Sequence, residues 1–232
     1  MAEQFFITGA ARGLGLAMTR QLLDRGSRVS VLVRTASDGL RDLESSSGER
    51  LSIHLGDVTD EASLQQAFAD VAKRLGHLDV IINNAVIYLD GSAPTLEDAD
   101  LSICARTFEV NAVGPMRVIK YGLPLLRKGS RKLIVNVSSE AGSIGDCRRK
   151  TEYAYCMSKS ALNMGSKLLQ NHLEPEGIKV LALHPGWFNS SGKGRAPISA
   201  EQAAVKVLAT ILKPHPLDAP QYVGPDGDAL PW

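Results

Sequence analysis

Short apolar segments alternate with longer amphipathic segments along almost the whole chain, and this alternation constrains the fold more than any other feature. Apolar residues in the amphipathic segments recur at helical spacing, whereas the apolar segments have the length of strands. The predicted strands cover residues 4–8, 28–33, 51–55, 78–82, 132–137, 178–183 and 221–223. The predicted helices between them cover residues 13–25, 37–49, 61–75, 99–126, 152–172 and 199–212. Strands that alternate with helices form right-handed crossovers, so we predict an α/β fold: a doubly wound parallel sheet of about seven strands with helices on both faces.

Composition and charge narrow the class of protein. Hydrophobic residues make up 44% and charged residues 22% of the 232 residues, which is typical of a globular protein and excludes a disordered or collagen-like chain. No linker-like stretch or internal repeat divides the sequence, so we expect one domain over residues 1–232. Lysine and arginine number 26 against 25 aspartate and glutamate residues, and this net charge of +1 argues against a nucleic-acid partner.

The sequence lacks the features of a membrane, secreted or metal-binding protein. No apolar run approaches the roughly 18 residues of a membrane helix, and the N-terminus lacks the pattern of a signal peptide. The three cysteines, Cys104, Cys147 and Cys156, have no metal-ligand spacing, and neither do the five histidines. We therefore expect a cytoplasmic protein with free thiols, no bound metal and no membrane partner.

Three long loops are predicted to lie at one edge of the sheet. Residues 88–98, 140–151 and 188–197 each follow a predicted strand, and the carboxyl ends of parallel strands share one edge. Open α/β sheets bind ligands at this edge, so we expect the functional site there.

A glycine-rich turn follows the first strand, with Gly9, Gly13 and Gly15 in the segment 9–15. Glycines permit a tight turn and a close approach of the backbone to a phosphate. The helix that begins in this segment points its N–H groups and positive dipole end toward the same place. The pattern indicates a dinucleotide-binding turn; a glycine-rich turn that only packs the helix on the strand is the alternative.

Two arginines near the turn favour NADP(H) as the cofactor. Sites selective for NAD carry an acidic residue after the second strand, about 20 residues beyond the glycines, where it binds the ribose 2′-hydroxyl. This chain has Arg34 at that place, and Arg12 lies within the glycine turn. Two guanidinium groups suit a 2′-phosphate, so we predict a preference for NADP(H), with NAD(H) as the alternative cofactor. Each arginine taken alone would be interpreted as a solvated surface residue.

Tyr155 and Lys159 lie four residues apart in the segment 152–172, so both side chains share one face of the predicted helix. A phenol has a reference pKa of about 10 and is a poor acid or base catalyst at neutral pH. A nearby ammonium group favours the phenolate, so we expect Lys159 to lower the pKa of Tyr155. This spacing also occurs by chance on helices, and the motifs around it decide its meaning.

Motifs in a fixed order relate the chain to a known family. They are the glycine turn 9–15, Asp57-Val58, Asn83-Asn84-Ala85, Asn111, Ser138-Ser139, Tyr155 with Lys159, and Pro185-Gly186. With these motifs the chain closely resembles the short-chain dehydrogenase/reductase family, in its single-domain form, over essentially its whole length. The segments 153–163, 184–187 and 227–232 are most similar to the C-factor and sniffer-like carbonyl reductases. The resemblance implies a Rossmann-like fold and an NAD(P)-dependent oxidoreductase that transfers a hydride between nicotinamide and a small-molecule carbonyl or alcohol.

The resemblance also assigns the catalytic roles. Tyr155 would be the acid/base that exchanges a proton with the substrate oxygen, and Lys159 would lower its pKa and bind the nicotinamide ribose. Ser139 would hydrogen-bond the substrate carbonyl, where charge develops during the reaction. Asn111 would bind a water that connects Lys159 to solvent, in a helix that we expect to be interrupted at residues 114–115.

Ser138 is the alternative to Ser139, because adjacent side chains on a strand point to opposite faces and only one can be catalytic. We choose Ser139 because it fits the family's Ser-x-x-Gly pattern, which ends here at Gly142. The segment between Ser139 and Tyr155 is longer than is usual in the family, so we expect this loop to bulge over the substrate site.

The remaining motifs match cofactor contacts of the family. Asp57-Val58 would bind the adenine, with the aspartate accepting from its amino group, and Asn84-Ala85 would flank the adenosine ribose. Pro185-Gly186 would border the nicotinamide, and Ser190 would contact its carboxamide. The complete predicted cofactor set is Gly9, Arg12, Gly13, Leu14, Gly15, Arg34, Asp57, Val58, Asn84, Ala85, Tyr155, Lys159, Pro185, Gly186 and Ser190.

Departures from the family pattern leave a second function open. Val86 stands where a glycine is usual, and the segment 188–191 replaces the usual Thr-Asp pair. The charged run 148–150 is interpreted as solvated, with a contact to an anionic substrate as the alternative. The altered positions favour, as the alternative function, a dinucleotide-binding regulatory or signalling protein with little turnover. The family resemblance also implies a homo-oligomer, a dimer or tetramer packed through the helices that contain Asn111 and Tyr155.

Overall fold

A parallel sheet of seven strands forms the centre of the molecule. The computed structural model describes residues 2–91, 95–189 and 196–232. The strands are β1 (Gln4–Thr8), β2 (Arg28–Val33), β3 (Leu51–Leu55), β4 (Val80–Asn83), β5 (Leu133–Val137), β6 (Lys179–Leu183), β7 (Phe188–Asn189), β8 (Ile198–Ser199) and β9 (Tyr222–Val223). Seven of them pair in parallel in the order β3-β2-β1-β4-β5-β6-β9, which confirms the predicted Rossmann-like α/β fold. The short strands β7 and β8 pair separately, and the sequence did not predict them.

Helices cover both faces of the sheet. They are α1 (Gly13–Asp24), α2 (Asp38–Ser47), α3 (Glu61–Leu75), α4 (Cys104–Phe108), α5 (Gly114–Leu126), α6 (Tyr153–Leu173) and α7 (Ala200–Ile211). Strand β1 shows why two cores form, because its side chains alternate between the faces. Phe5 and Ile7 pack with residues of α1 and α7 on one face, and Phe6 packs with residues of α3, α5 and α6 on the other. No helix within the described residues is long and apolar enough to cross a lipid bilayer.

The predicted interruption at residues 114–115 is wrong. A π-helical turn, Glu109–Val113, joins α4 to α5, and the chain stays helical from one to the other. Pro115 follows the π-helical turn closely, at the second position of α5. The irregularity therefore falls on the residues before the proline, and Asn111 is at its centre.

Candidate active site

The site lies at the carboxyl ends of β1, β4 and β5. Strand β4 pairs with β1 on the side opposite to β2, so the chain adds strands in one direction from β1 to β3 and in the other direction from β4 onward. The loops that follow β1 and β4 therefore diverge. A crevice at this point is where sheets of this topology bind ligands. The buried amide of Asn83 donates to Asn136 Oδ1 at 2.8 Å and joins the ends of β4 and β5.

The glycine turn leaves room for a ligand against the backbone. Gly9 has a φ of 71°, and a Cβ added there would lie 2.7 Å from the Cα of Ala85, so only glycine fits. Arg12 is the N-cap of α1, and within the described residues its side chain makes no capping hydrogen bond. Residues 13–15 form the first turn, whose N–H groups are available to an anion, so the turn fits a dinucleotide phosphate. The side chain of Leu14 is buried in the core, so only its backbone can serve the site.

Asn84 ties the glycine turn to the end of β4. Its Nδ2 atom donates to the carbonyl oxygens of Thr8 and Gly9 at 3.1 Å each. The backbone N–H groups of Asn84 and Ala85 donate to Thr8 Oγ1 at 3.1 and 3.0 Å. The Asn84 side chain therefore fixes the shape of the turn, and its contact with an adenosine ribose stays a prediction.

Charged groups converge on Asp57. Its Oδ1 atom accepts from the backbone N–H and the hydroxyl of Thr59 at 2.9 Å each, and Arg106 Nη2 lies 3.4 Å from Oδ2. Burial acts to raise the pKa of Asp57, but the Thr59 hydrogen bonds and the charges of Arg106 and Arg34 bring that pKa below its ordinary value. Arg12 and Arg34 are both exposed. Sequence reasoning missed Arg106, because it lies 49 residues from Asp57 and no motif marks it.

The two serines after β5 have different partners. Ser138 Oγ donates to Asn163 Oδ1 at 2.6 Å in the protein interior. Ser139 Oγ donates to Glu140 Oε2 at 2.7 Å and accepts from the Ala141 N–H at 3.2 Å. The structure therefore leaves the hydroxyl of Ser139, and not that of Ser138, beside the loops of the site.

A close approach between the loop after Ser139 and helix α6 brings two predicted catalytic residues together. A Cβ added to Gly142 would lie 2.9 Å from the backbone of Lys159, so a larger residue would push the loop away. The carbonyl of Gly142 accepts from Asn163 Nδ2 at 3.1 Å. The Ser139 hydroxyl consequently interacts with the phenol of Tyr155.

Asn111 is buried and 1% exposed in the π-helical turn 109–113. Its Nδ2 atom donates to the Ile87 carbonyl at 2.9 Å and to Ser158 Oγ at 3.1 Å, and its Oδ1 atom accepts from the Ile87 N–H at 2.9 Å. Both amide hydrogens are engaged, so the side chain has only a lone pair of Oδ1 left for the predicted water link toward Lys159. Asn111 joins the loop after β4 to α6, and π-helical turns often occur at functional sites.

Tyr155 and Lys159 share one face of α6, as their spacing predicted. Lys159 is 2% exposed, and its Nζ atom donates to the Val137 carbonyl at 2.8 Å. The same atom lies 5.7 Å from the centroid of the Tyr155 ring. The ring of Tyr88 packs edge-on against Tyr155 at 5.4 Å between centroids.

The net pKa of Tyr155 is set mainly by burial in this structure, and the expected lowering by Lys159 stays a prediction. Burial raises the pKa of the Tyr155 phenol, and the hydrogen bond with Ser139 offsets only part of that effect. Burial also lowers the pKa of Lys159 to about 7, because the ammonium group has lost its hydration. Spacing along a helix shows that two groups are neighbours, but it does not show how much water surrounds them.

The loop after β4 fixes the start of α6. The carboxylate of Asp90 accepts from the backbone N–H groups of Ala154 and Tyr155 at 3.0 and 2.9 Å. An acidic group at the positive end of a helix is stabilising. Glu152, the N-cap residue, accepts a hydrogen bond from the Tyr88 hydroxyl at 2.7 Å. Sequence reasoning missed Asp90 and Glu152, because neither belongs to a motif.

The other predicted cofactor residues surround the same crevice in different ways. Val58 is buried in the core, and Pro185-Gly186 begins two residues after the end of β6. Val86 and Trp187 are exposed, Trp187 at 72%. Ser190 lies outside the described residues. Across residues 2–91, 95–189 and 196–232, no group of three or more His, Cys, Asp or Glu side chains is arranged to hold a metal ion.

Comparison with known proteins decides the family. A family model described as short chain dehydrogenase matches residues 3–199. The chain belongs to the short-chain dehydrogenase family. C-signal of Myxococcus xanthus is 37% identical to this dehydrogenase over 158 residues, which cover 68% of this chain and 94% of that protein.

Solved structures of carbonyl reductases resemble this short-chain dehydrogenase over its whole length. Carbonyl reductase Sniffer of D. melanogaster superposes with a TM-score of 0.91 at 28% identity, covering 100% of both chains. NADPH-bound carbonyl reductase from chicken fatty liver superposes with a TM-score of 0.88 at 27% identity, covering 100% of this chain and 99% of that one. The resemblance predicted from the motifs is confirmed, and the chain is an oxidoreductase of this family.

Proposed function

We propose that this short-chain dehydrogenase is an NADP(H)-dependent carbonyl reductase that also oxidises the matching alcohol. The observation that carries the proposal is the meeting of Ser139, Tyr155 and Lys159 at the sheet edge beside the glycine turn. The similarity to an NADPH-bound carbonyl reductase supports the same conclusion. The glycine turn, the N-terminus of α1, Arg12 and Arg34 would hold the cofactor, which supplies or accepts the hydride when bound.

Side chains of this protein then transfer the proton to and from the substrate oxygen. Tyr155 donates a proton to the substrate oxygen in reduction and takes it back in oxidation. Burial raises the pKa of Tyr155, so the phenol keeps its proton at neutral pH and can donate it. Lys159 lies on the same face of α6, with its Nζ atom 5.7 Å from the centroid of the Tyr155 ring, and burial lowers its pKa to about 7. Ser139 forms a hydrogen bond to the same substrate oxygen, where charge develops.

A substrate panel tests this function. Purified protein is mixed with NADPH and, in turn, with aldehydes, ketones including acetophenone, and quinones, and the nicotinamide absorbance is followed. Turnover of at least one carbonyl compound is the expected result. If no compound is turned over while the cofactor still binds, the carbonyl reductase proposal is wrong.

The alternative is a dinucleotide-binding regulatory or signalling protein with little turnover. One finding favours it, the similarity to a relative whose name designates a signal. Exposed Val86, at a position where the family usually has glycine, is compatible with it. The same panel separates the two functions, because only the alternative predicts cofactor binding without turnover.

Arg34→Asp is expected to reverse the cofactor preference. A hydrogen bond to a charged group contributes about 1.5–3 kcal/mol, so one such contact to the 2′-phosphate gives NADPH an advantage of roughly tenfold or more. A carboxylate at this position repels the phosphate and accepts from the free 2′-hydroxyl of NADH. Dissociation constants of both cofactors, measured at low and constant ionic strength, check this prediction.

Two further variants make the cofactor test specific. Arg12→Ala is expected to weaken NADPH binding and leave NADH nearly unchanged. Arg41→Asp on α2, also exposed, makes the same charge change away from the predicted phosphate position and is expected to leave the ratio unchanged. Equal affinity of the wild type for both cofactors would show that Arg12 and Arg34 are ordinary surface charges.

We also propose that the 232 residues act as one domain in a cytoplasmic homo-oligomer. The three cysteines are free thiols, which suits a reducing compartment. Met157, Met164 and Leu168 are exposed along α6, and an exposed apolar stripe favours packing against a second helix. Light scattering at micromolar concentration is expected to give a dimer or tetramer, and a monomer would contradict this assembly.

A further inference from the structure

The chain reverses its direction after β9 and runs back beside that strand. Val223 and Ala229 form an antiparallel bridge, and the Leu230 N–H donates to the Tyr222 carbonyl at 2.9 Å. Residues 229–232, here called the return segment, are therefore fixed to the edge of the main sheet.

The return segment binds the loop that follows β5. Ser143 Oγ donates to the Pro231 carbonyl at 2.7 Å, and the Gly145 N–H donates to the Trp232 carbonyl at 2.8 Å. These bonds hold the loop a few residues beyond Ser139. A segment far away in the sequence thus fixes the part of the site that carries the serine.

Tyr222 connects the return segment to Ser139 itself. Its side chain is 1% exposed, and its ring stacks on Trp232 with 5.2 Å between centroids. Its hydroxyl donates to the Ser139 carbonyl at 2.5 Å, and the same carbonyl accepts from the Gly142 N–H at 2.9 Å. Both lone pairs of this carbonyl oxygen are occupied, so the peptide group of Ser139 is held from two sides.

The Tyr222 hydroxyl is a permanent donor in this position. Burial raises the pKa of the phenol to about 12, so it keeps its proton at neutral pH. The Asn163 side chain forms a hydrogen bond with the same phenol. Ser139 is itself buried, and a buried carbonyl that loses a donor costs free energy. The Tyr222 hydroxyl therefore favours one position of the Ser139 peptide group.

Arg149 holds the same loop through separate contacts. Its guanidinium donates to the carboxylates of Glu140 and Glu152, and its side chain is 28% exposed. The interpretation of residues 148–150 as a solvated run is therefore wrong for this residue. Because other side chains form these ion pairs, we expect them to persist when Tyr222 is changed.

We propose that Tyr222, held by its stacking on Trp232, is a positioning residue that keeps the Ser139 hydroxyl in reach of both Tyr155 and the substrate oxygen. The inference rests on the proposed oxidoreductase function. A small displacement of a group that stabilises developing charge lowers the rate of the chemical step. We therefore expect Tyr222 to act on kcat, through the backbone of Ser139 and without touching the substrate.

Tyr222→Phe tests the inference, because it removes the hydroxyl and keeps a ring that can stack on Trp232. With the best carbonyl compound of the panel, kcat is expected to fall about fivefold, since a hydrogen bond of ordinary strength no longer favours the productive position. The KM and the NADPH dissociation constant are expected to stay near the wild-type values, as for an interaction made only in the transition state. A wild-type kcat in this variant contradicts the inference.

A double-mutant cycle with Ser139→Ala separates positioning from a general structural role. In the Ser139→Ala background, Tyr222→Phe is expected to leave the remaining kcat unchanged, because no hydroxyl is left to position. Its loss of stability in urea is expected to be the same in both backgrounds, because the Ser139 carbonyl is present in both. If Tyr222→Phe lowers kcat by the same factor with and without the serine hydroxyl, the inference is overturned.

Two further changes make the test specific. Trp232→Ala removes the stacking partner and is expected to lower kcat in the same way, whereas Trp232→Phe keeps a ring against Tyr222 and is expected to retain most of it. Tyr121→Phe is the matched control, because it removes a phenol hydroxyl that donates to Glu61 on the other side of the site's helices. It is expected to keep the wild-type kcat, and an unchanged kcat in Trp232→Ala would contradict the inference.

Turnover by the wild type separates the two levels of failure. If the wild type reduces a carbonyl compound of the panel but Tyr222 and Ser139 show no coupling in kcat, the inference is wrong and the proposed function stands. If the wild type turns over no compound of the panel, the proposed function and the inference both fail.

Discussion

Tyr155→Phe is expected to lose nearly all turnover, at least about a hundredfold, while the fold and the cofactor affinity stay as in the wild type. The substitution removes only the phenol oxygen, so the ring can keep its edge-on contact with Tyr88 at 5.4 Å. Without that oxygen, nothing at this position of α6 can exchange a proton with the substrate. Steady-state rates with the best carbonyl compound of the panel, together with the NADPH dissociation constant, check the prediction.

Tyr153→Phe is the control for this result. Tyr153 lies two residues earlier on a different face of α6, and its hydroxyl donates to the Lys150 carbonyl at 3.2 Å. We expect this variant to keep the turnover of the wild type within a few-fold. The opposite pattern, with an active Tyr155→Phe and an inactive Tyr153→Phe, would transfer the acid/base role to Tyr153.

Lys159→Met is expected to abolish most turnover and to flatten the pH dependence of stability. Burial lowers the pKa of Lys159 to about 7, whereas a lysine in the unfolded chain has a pKa of about 10.4. Between these two values the unfolded chain binds more protons than the folded protein, so the free energy of unfolding rises with pH. From pH 7 to pH 9 this one residue contributes a rise of about 2 kcal/mol, which the variant lacks.

Urea unfolding at several pH values between 7 and 9 measures this difference. Loss of the hydrogen bond to the Val137 carbonyl shifts the stability of the variant by the same amount at every pH, so it does not change the slope. Lys167→Met is the matched control, because Lys167 is exposed on the same helix. A slope in Lys159→Met equal to that of the wild type would show that Lys159 keeps an ordinary pKa in the folded protein.

The strands of the main sheet, their parallel arrangement and the edge that carries the site could be predicted from the sequence, because they follow from apolar periodicity and from rules of chain connection. The pairing of Tyr155 with Lys159 was predicted for a similar reason, since spacing on a helix is a local property. Contacts between loops could not be predicted. Arg149 pairs with Glu140, nine residues earlier, only because the loop after β5 folds back on itself before α6 begins.

The pKa values mark a second limit of sequence reasoning. Lys159 was expected to act on Tyr155 through its charge, but burial dominates both groups in the structure. Arg106 beside Asp57 shows the same limit at the predicted adenine site, because the two residues meet only through the placement of α4. Sequence motifs identify which groups take part, and packing decides their ionisation.

The hydrogen bonds that shape the glycine turn have a consequence for binding. Thr8 and Asn84 fix the turn through bonds made entirely within the protein. A loop that already has its binding shape loses little conformational entropy when a ligand arrives, so more of the contact energy remains as affinity. Dinucleotide affinity in this protein should thus depend on Thr8, whose hydroxyl is occupied by backbone N–H groups, through preorganisation of the turn rather than through direct contact.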